Sequence, residues 1–165
     1  MPSSTLPSML CFRTAFLILL WLPASAFPHQ VVSIADGDTL TLLVKRKQIR
    51  IRLAGIDAPE RGQAYAQQSR QSLASLCWGK QASYEIQDKD RYGRTVATVT
   101  CGGVDANQEQ VRRGMAWVYR HYQHDWHLLL LEAQARNNRI GLWNDNAPLP
   151  PWEFRRGTPA APGKR

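Results

Sequence analysis

The sequence predicts an α+β domain built on a small closed sheet of five short strands, a five-stranded barrel being one natural form, with about three α-helices. Three observations carry this. Three consecutive runs near the start of the chain alternate or run apolar and β-branched; a Gly- and Pro-free segment with helical spacing follows the third; and two further strand-like runs lead into a helical C-terminal third.

The first three runs, residues 30–34, 39–45 and 48–53, are separated by short polar reversals at Asp36-Gly37 and Arg46-Lys47, so they read as consecutive antiparallel strands. Residues 64–76 are rich in Ala, Gln, Ser and Leu, and Ala66, Ser69, Leu73 and Leu76 share one helical face before Gly79 stops the helix. Residues 82–87 and 95–100 are the fourth and fifth strands, joined by the charged loop 88–94. A second helix is predicted over 107–113, ended by Gly114, and a third from an Asp125 cap through Trp126, Leu130, Ala133 and Asn137, ended before Gly141. The Pro-rich segment after residue 146 is expected to dock through Trp152 and Phe154, with loose chain beyond Gly157.

Composition bounds the partners and the compartment. The 165 residues carry 21 Lys+Arg against 13 Asp+Glu, a formal net charge of +8, which favours polyanionic partners. Residues 1–26 hold a single charge, Arg13, then an apolar run ending in Pro23-Ala24-Ser25-Ala26, the pattern of a cleaved export signal. The run is well short of the ~20 apolar residues of a spanning helix, so no stable membrane insertion is expected after cleavage. Export to a periplasm or to the medium would put Cys77 and Cys101, the two cysteines outside that segment, in an oxidising compartment. They read either as a disulfide or as two buried thiols.

Three charged clusters lie at strand ends. The first is Asp36-Gly37-Asp38-Thr39, which by itself is first of all a turn. The second is Arg52 followed by Asp57 and Glu60, a strand exit into a Pro-containing loop where lone carboxylates would simply be solvated. The third is the strand connection Asp88-Lys89-Asp90-Arg91-Tyr92-Gly93-Arg94. Neighbouring strand ends meet in a small barrel, so Asp38, Asp57 and Glu60 can share a face with Arg52 and Arg94. Hard oxygen ligands without Cys or His suit Ca²⁺ or Mg²⁺. A further carboxylate can activate water, and two guanidiniums can bind a phosphate and its transition-state charge. This is equipment for hydrolysing a phosphodiester.

Asp36-Gly37-Asp38-Thr39, then Ile51-Arg52-Leu53-Ala54-Gly55-Ile56-Asp57-Ala58-Pro59-Glu60, then Asp90-Arg91-Tyr92-Gly93-Arg94, in this order and spacing, resemble the staphylococcal nuclease (thermonuclease) family. The resemblance spans about residues 31–143 and implies a five-stranded OB-type barrel with three helices. It further implies Asp38 and Asp57 as carboxylate ligands to Ca²⁺ with the main-chain carbonyl of Ala58. Glu60 is implied as general base or water-orienting group, and Arg52 and Arg94 as phosphate-contacting residues. The activity it implies is sequence-nonspecific endonucleolytic cleavage of DNA and RNA, leaving 3′-phosphates. Ala58 departs from the Thr of the family's best-known member, the loop before the first helix is shorter than that member's Lys-rich loop, and Arg91 stands where Lys is frequent. In such a barrel the two cysteines would lie next to each other, which favours the disulfide.

Other features are secondary. Arg91, Tyr92, Tyr119 and Tyr122 are candidate substrate contacts, Tyr119 or Tyr122 by stacking on a base and Tyr92 by lining the pocket beside Arg94. Trp117 and Trp126 read better as core residues. His121, His124 and His127 recur at every third position, which suits a polar face better than a metal site. Arg155, Arg156, Lys164 and Arg165 read as solvated charges that add unspecific affinity for polyanions. The division expected is a cleaved signal over 1–26, a nuclease domain over 27–145 and a Pro-rich basic tail over 146–165, acting as a monomer. The alternatives are a non-catalytic nucleic-acid-binding barrel and an exported basic surface-interaction protein.

Overall fold

The structure is a computed structural model that describes residues 28–120 and 125–157. The export-signal reading of 1–26 therefore lies outside the described residues. The strands are β1 (His29–Ile34), β2 (Thr39–Val44), β3 (Lys47–Leu53), β4 (Ile56–Asp57), β5 (Gln81–Lys89), β6 (Thr95–Cys101), β7 (Val104–Asp105) and β8 (Trp117–Val118). The helices are α1 (Ala66–Cys77), α2 (Ala106–Arg112), α3 (Trp126–Asn137) and a short α4 (Pro151–Phe154), with a 3₁₀ turn at Gly141–Asn144.

β1, β2 and β3 form an antiparallel meander, β5 returns beside β1, and β6 pairs antiparallel with β5. Parallel pairing of β3 with β6, Arg52 opposite Val96, closes the five long strands into an OB-type barrel. Closure follows from the sequence pattern. Leu40 and Leu42, Ile51 and Leu53, and Ala97 and Val99 are all buried at i, i+2 spacing, so each strand sends one face inward.

The reversal between β2 and β3 sits one residue earlier than the sequence suggests. Lys45 and Arg46 both take positive φ (46° and 69°), the requirement of a two-residue hairpin loop, and Lys47 pairs with Val44 inside the ladder. Neither Lys nor Arg signals such a turn, so the composition misplaced it by one position.

α1 covers the barrel with Ser69, Leu73, Leu76 and Cys77, and begins at Ala66 because Tyr65 is left-handed (φ 64°). α3 is capped by Asp125, whose carboxylate accepts the His127 N–H at 2.9 Å. Its buried positions are Leu128, Leu131, Glu132 and Ala135, which leaves Trp126 on the outer side and 72% exposed. Trp126 is thus not a core residue, a correction to the sequence reading. Trp117 is buried, edge-on to Trp143 at 4.3 Å. With Ala135 and Leu142 these two form a small second core, against which Tyr65 and Trp152 pack.

Cys77 at the end of α1 is bonded to Cys101 at the end of β6, closing a loop of sequence separation 24. In the chain-entropy account a loop of that length contributes about 3 kcal/mol. Urea unfolding with and without reductant should therefore differ by about 3 kcal/mol in stability, and coincident curves would contradict a structural role for the bond.

Candidate functional site

The ends of β2, β3 and β6 meet at one side of the barrel, and their register brings the charged clusters together. Thr39 lies opposite Arg52, and Arg52 lies opposite Val96, two residues after Arg94. The β1–β2 turn that presents Asp38 is held by an Ala35 N–H to Thr39 carbonyl bond of 2.9 Å, and the Asp38 N–H donates to Asp36 Oδ1 at 3.1 Å. Gly37 is required by close approach: a Cβ there would sit 1.8 Å from Ser69 Oγ of α1 and 2.8 Å from the Ala58 Cβ. Gln110 of α2 fixes the same turn, its amide donating to the Gly37 carbonyl at 2.6 Å and the Ser69 carbonyl at 3.1 Å.

The exit of β3 is pinned as firmly. Asn107 Nδ2 donates to the Ala54 carbonyl at 2.8 Å while its Oδ1 accepts the Val99 N–H at 3.0 Å. Two-residue pairing of β4 with β8, Ile56 to Val118 and Asp57 to Trp117, then sets Asp57 in place. The buried Glu132 supports β8 by accepting the Val118 N–H at 3.0 Å, and it pairs with Arg120 and Arg136.

At the centre stands Arg52. Its Nη1 lies 2.6 Å from Asp38 Oδ2 and its Nη2 2.9 Å from Asp57 Oδ1, with a further bond to the Ile56 carbonyl at 3.1 Å. Asp38 is 4% and Asp57 1% exposed. Burial by itself raises the Asp38 carboxyl, but the Arg52 charge, the Ala58 N–H at 2.8 Å and the Thr39 hydroxyl at 2.9 Å together hold it below the ordinary value. Burial works against the Arg52 charge too, and the two aspartates more than offset it, so the guanidinium is held in its charged form. Asp36, desolvated and beside Asp38, has its carboxyl pushed up to about 6.

Glu60 joins this group by a partner that sequence reasoning assigned to solvent. Arg155, directly after α4, donates from Nη2 to Asp57 Oδ2 at 2.8 Å and from Nη1 to Glu60 Oε1 at 2.5 Å and Asp57 Oδ1 at 3.3 Å. Asp38, Arg52, Asp57, Arg155 and Glu60 thus form one alternating chain of charge. The reading of Arg155 as a solvated cation is corrected by these contacts, which join residues 95 and 98 positions apart.

Arg94 approaches from the β5–β6 loop. Its Nη1 reaches Thr39 Oγ1 at 3.5 Å, while its Nε is paired with Asp90 Oδ2 at 2.6 Å. Asp90 Oδ1 also accepts the N–H groups of Tyr92 and Arg94, both at 2.9 Å. Burial opposes ionisation of Asp90, and the Arg94 bonds and charge together with the Tyr92 N–H outweigh it, lowering the carboxyl. Tyr92 is 71% exposed, with Arg91 and Arg94 guanidiniums 5.0 and 5.6 Å from its ring centre. The Tyr119 ring lies 6.0 Å from that of Trp152. Tyr122, His121 and His124 lie outside the described residues.

Among the described residues no three His, Cys, Asp or Glu side chains are grouped so as to hold a metal ion. Guanidiniums bridge the carboxylates instead. The donor chemistry of the buried pair nevertheless fits a hard divalent cation: two carboxylates lie within one guanidinium's span, without a soft ligand between them.

A closed OB-type barrel whose strand ends gather carboxylates and arginines defines a class of small nucleases that act on phosphodiester bonds. Comparison of the sequence agrees with that class. The family model described as staphylococcal nuclease homologue matches residues 50–145, and the chain belongs to that family. Similar proteins include a micrococcal nuclease of Shigella flexneri, 40% identical over 94% of this chain and 96% of its own length. Uncharacterized endonucleases of Haemophilus influenzae and Escherichia coli O157:H7 are 46% and 43% identical, over 77% and 76% of this chain and 72% and 83% of theirs.

Asp90 is the hinge of the Arg94 arrangement, gripping both its backbone and its side chain. Asp90→Ala should lower kcat/KM on a nucleic-acid substrate about tenfold, a loss of about 1.4 kcal/mol, with the thermal midpoint little changed. Wild-type turnover in that variant would show that Arg94 is positioned by other means.

Proposed function

We propose that this nuclease is a secreted or periplasmic, Ca²⁺-dependent and sequence-nonspecific endonuclease that hydrolyses DNA and RNA to leave 3′-phosphates, with Mg²⁺ as the alternative ion. The observation that supports this most is the buried Asp38–Arg52–Asp57 bridge, with Arg94 turned toward it through Thr39. A disulfide between Cys77 and Cys101 favours an extracytoplasmic location. No described helix is long and apolar enough to cross a membrane.

Asp38, Asp57 and the carbonyl of Ala58 would hold the ion. When bound it supplies charge neutralisation and orientation of the phosphate. The rest is done by the chain's own groups. Arg52 makes three of the bonds its five N–H donors allow and so keeps donors for a phosphate oxygen. Arg94 adds a second guanidinium against the charge that develops on the equatorial oxygens. Glu60, with its side chain 40% exposed, meets water and can orient it and accept its proton. Arg91 and the exposed face of Tyr92 would line the path of the strand, with Tyr119 and Tyr122 stacking on bases. The positive net charge draws the polyanion in, unspecifically and with a strong dependence on salt.

Plasmid and RNA digestion with Ca²⁺ and with chelator tests the proposal directly: both substrates should be cut with Ca²⁺ and spared by the chelator. Equal cutting in chelator would refute the metal dependence. Arg94→Ala and Glu60→Ala should each lose at least about 10²-fold in kcat with the fold retained by circular dichroism, and near-normal turnover in both would remove their assigned roles. Asp38→Asn should shift the Ca²⁺ titration of activity to higher concentration, and an unmoved titration would speak against ligation by Asp38.

A further inference from the structure

Arg155 lies beyond the residues that the family model matches and belongs to none of the three motif clusters, yet its guanidinium reaches the centre of the site. It engages both oxygens of Asp57 and one of Glu60. Its own charge is strengthened first by the bonds to Asp57, against some burial, and then by Glu60. The segment that carries it is anchored at specific points. Gln63 ties it to the Glu60 loop, its Nε2 donating to the Leu149 carbonyl at 2.5 Å while its Oε1 accepts the Glu60 N–H at 3.0 Å. Pro151 is buried, and the Trp152 ring stacks edge-on to Trp117 at 5.7 Å. Between the 59–65 loop and Phe154 lies a mostly apolar cavity of about 190 Å³, so the segment is not packed solidly over its whole length.

We propose that Arg155 is a tethered counter-cation of the acidic site, holding Asp57 and Glu60 together until a divalent ion displaces it. Ion entry and release of residues 151–157 are then one competitive equilibrium. This rests on the reading of Asp38 and Asp57 as ligands. Arg52 engages only Oδ1 of Asp57, which leaves Oδ2 as the oxygen open to an ion, and Arg155 lies 2.8 Å from it. A guanidinium and a dication cannot share that oxygen without strong repulsion, since like charges a few ångströms apart cost several kcal/mol when partly buried. The tether gives Arg155 a high effective concentration at the carboxylates. The ion therefore binds only to the fraction of molecules in which Arg155 has moved away, and its apparent affinity falls by that fraction. A segment closed nine times in ten weakens ion binding about tenfold. Removing Arg155 also frees Glu60 from its ion pair, so the same contact sets when Glu60 is available to water.

The test is calorimetric titration of Ca²⁺ into the purified chain without substrate, comparing the wild type with Arg155→Ala and Arg155→Lys. Arg156→Ala serves as control for the loss of one positive charge, since the Arg156 side chain is exposed and the ion pairs of Asp57 and Glu60 among the described residues are made with Arg52 and Arg155. Arg155→Ala should bind Ca²⁺ about tenfold more tightly, Arg155→Lys should fall between, and Arg156→Ala should change less than about twofold. Independently of any variant, hydrogen exchange of residues 151–157 in the wild type should speed up at saturating Ca²⁺. Equal or weaker binding by Arg155→Ala, or an equal gain in Arg156→Ala, would overturn the proposal while leaving the ligand reading intact. Unchanged exchange at saturation would do the same. Absence of Ca²⁺ binding in every protein would overturn the ligand reading and the proposal together.

Discussion

One guanidinium between two buried carboxylates organises this molecule. Asp38 and Asp57 are taken almost wholly out of water, a step that costs several kcal/mol for each ion unless partners replace the lost hydration. Arg52 replaces it for both at once, at 2.6 and 2.9 Å, and the Ala58 N–H and Thr39 hydroxyl complete the shell of Asp38. The bridge ties the start of β2 to the end of β3 and to the loop that follows. With Arg155 and Glu60 the cluster holds three carboxylates against two guanidiniums, a local deficit of one positive charge.

Everything around the bridge restricts where it can be. Closure of the barrel through β3 and β6 fixes Arg52 relative to Arg94, because the two strands are in parallel register one residue after Arg94. Gln110 and Asn107, both buried side chains of α2, clamp the turn before β2 and the chain leaving β3. β8 and Glu132 do the same for Asp57 through the short β4. The fold spends polar side chains inside its core to hold two loops still, an arrangement that makes sense only if the position of the side chains on those loops matters.

Much of this was legible in the chain itself. The five long strands and three longer helices announce themselves because period-two and period-3.6 patterns persist over six or more residues. The three charged clusters were readable because each sits at a turn. β4, β7 and β8 were not, since two residues carry no period, and α4 was hidden in a Pro-rich stretch that reads as tail. Trp126 was misassigned because its apolar character says nothing about which face of α3 it occupies. Arg155 could not be found at all: its partners are nearly a hundred positions away, and only the expectation that Trp152 and Phe154 dock hinted that their neighbour would be held against the body of the protein.

The cation deficit of the Asp38, Asp57 and Glu60 cluster marks the place where a divalent ion is proposed to bind. Mn²⁺, a hard paramagnetic ion with the same preference for oxygen, reports that place directly when titrated into isotopically labelled protein. Broadening should appear first at the backbone amides of Asp38, Thr39, Asp57, Ala58 and Glu60. Broadening that begins instead at the polar pocket lined by Asp105 and Asp125, or that spreads evenly over the acidic surface, would contradict it.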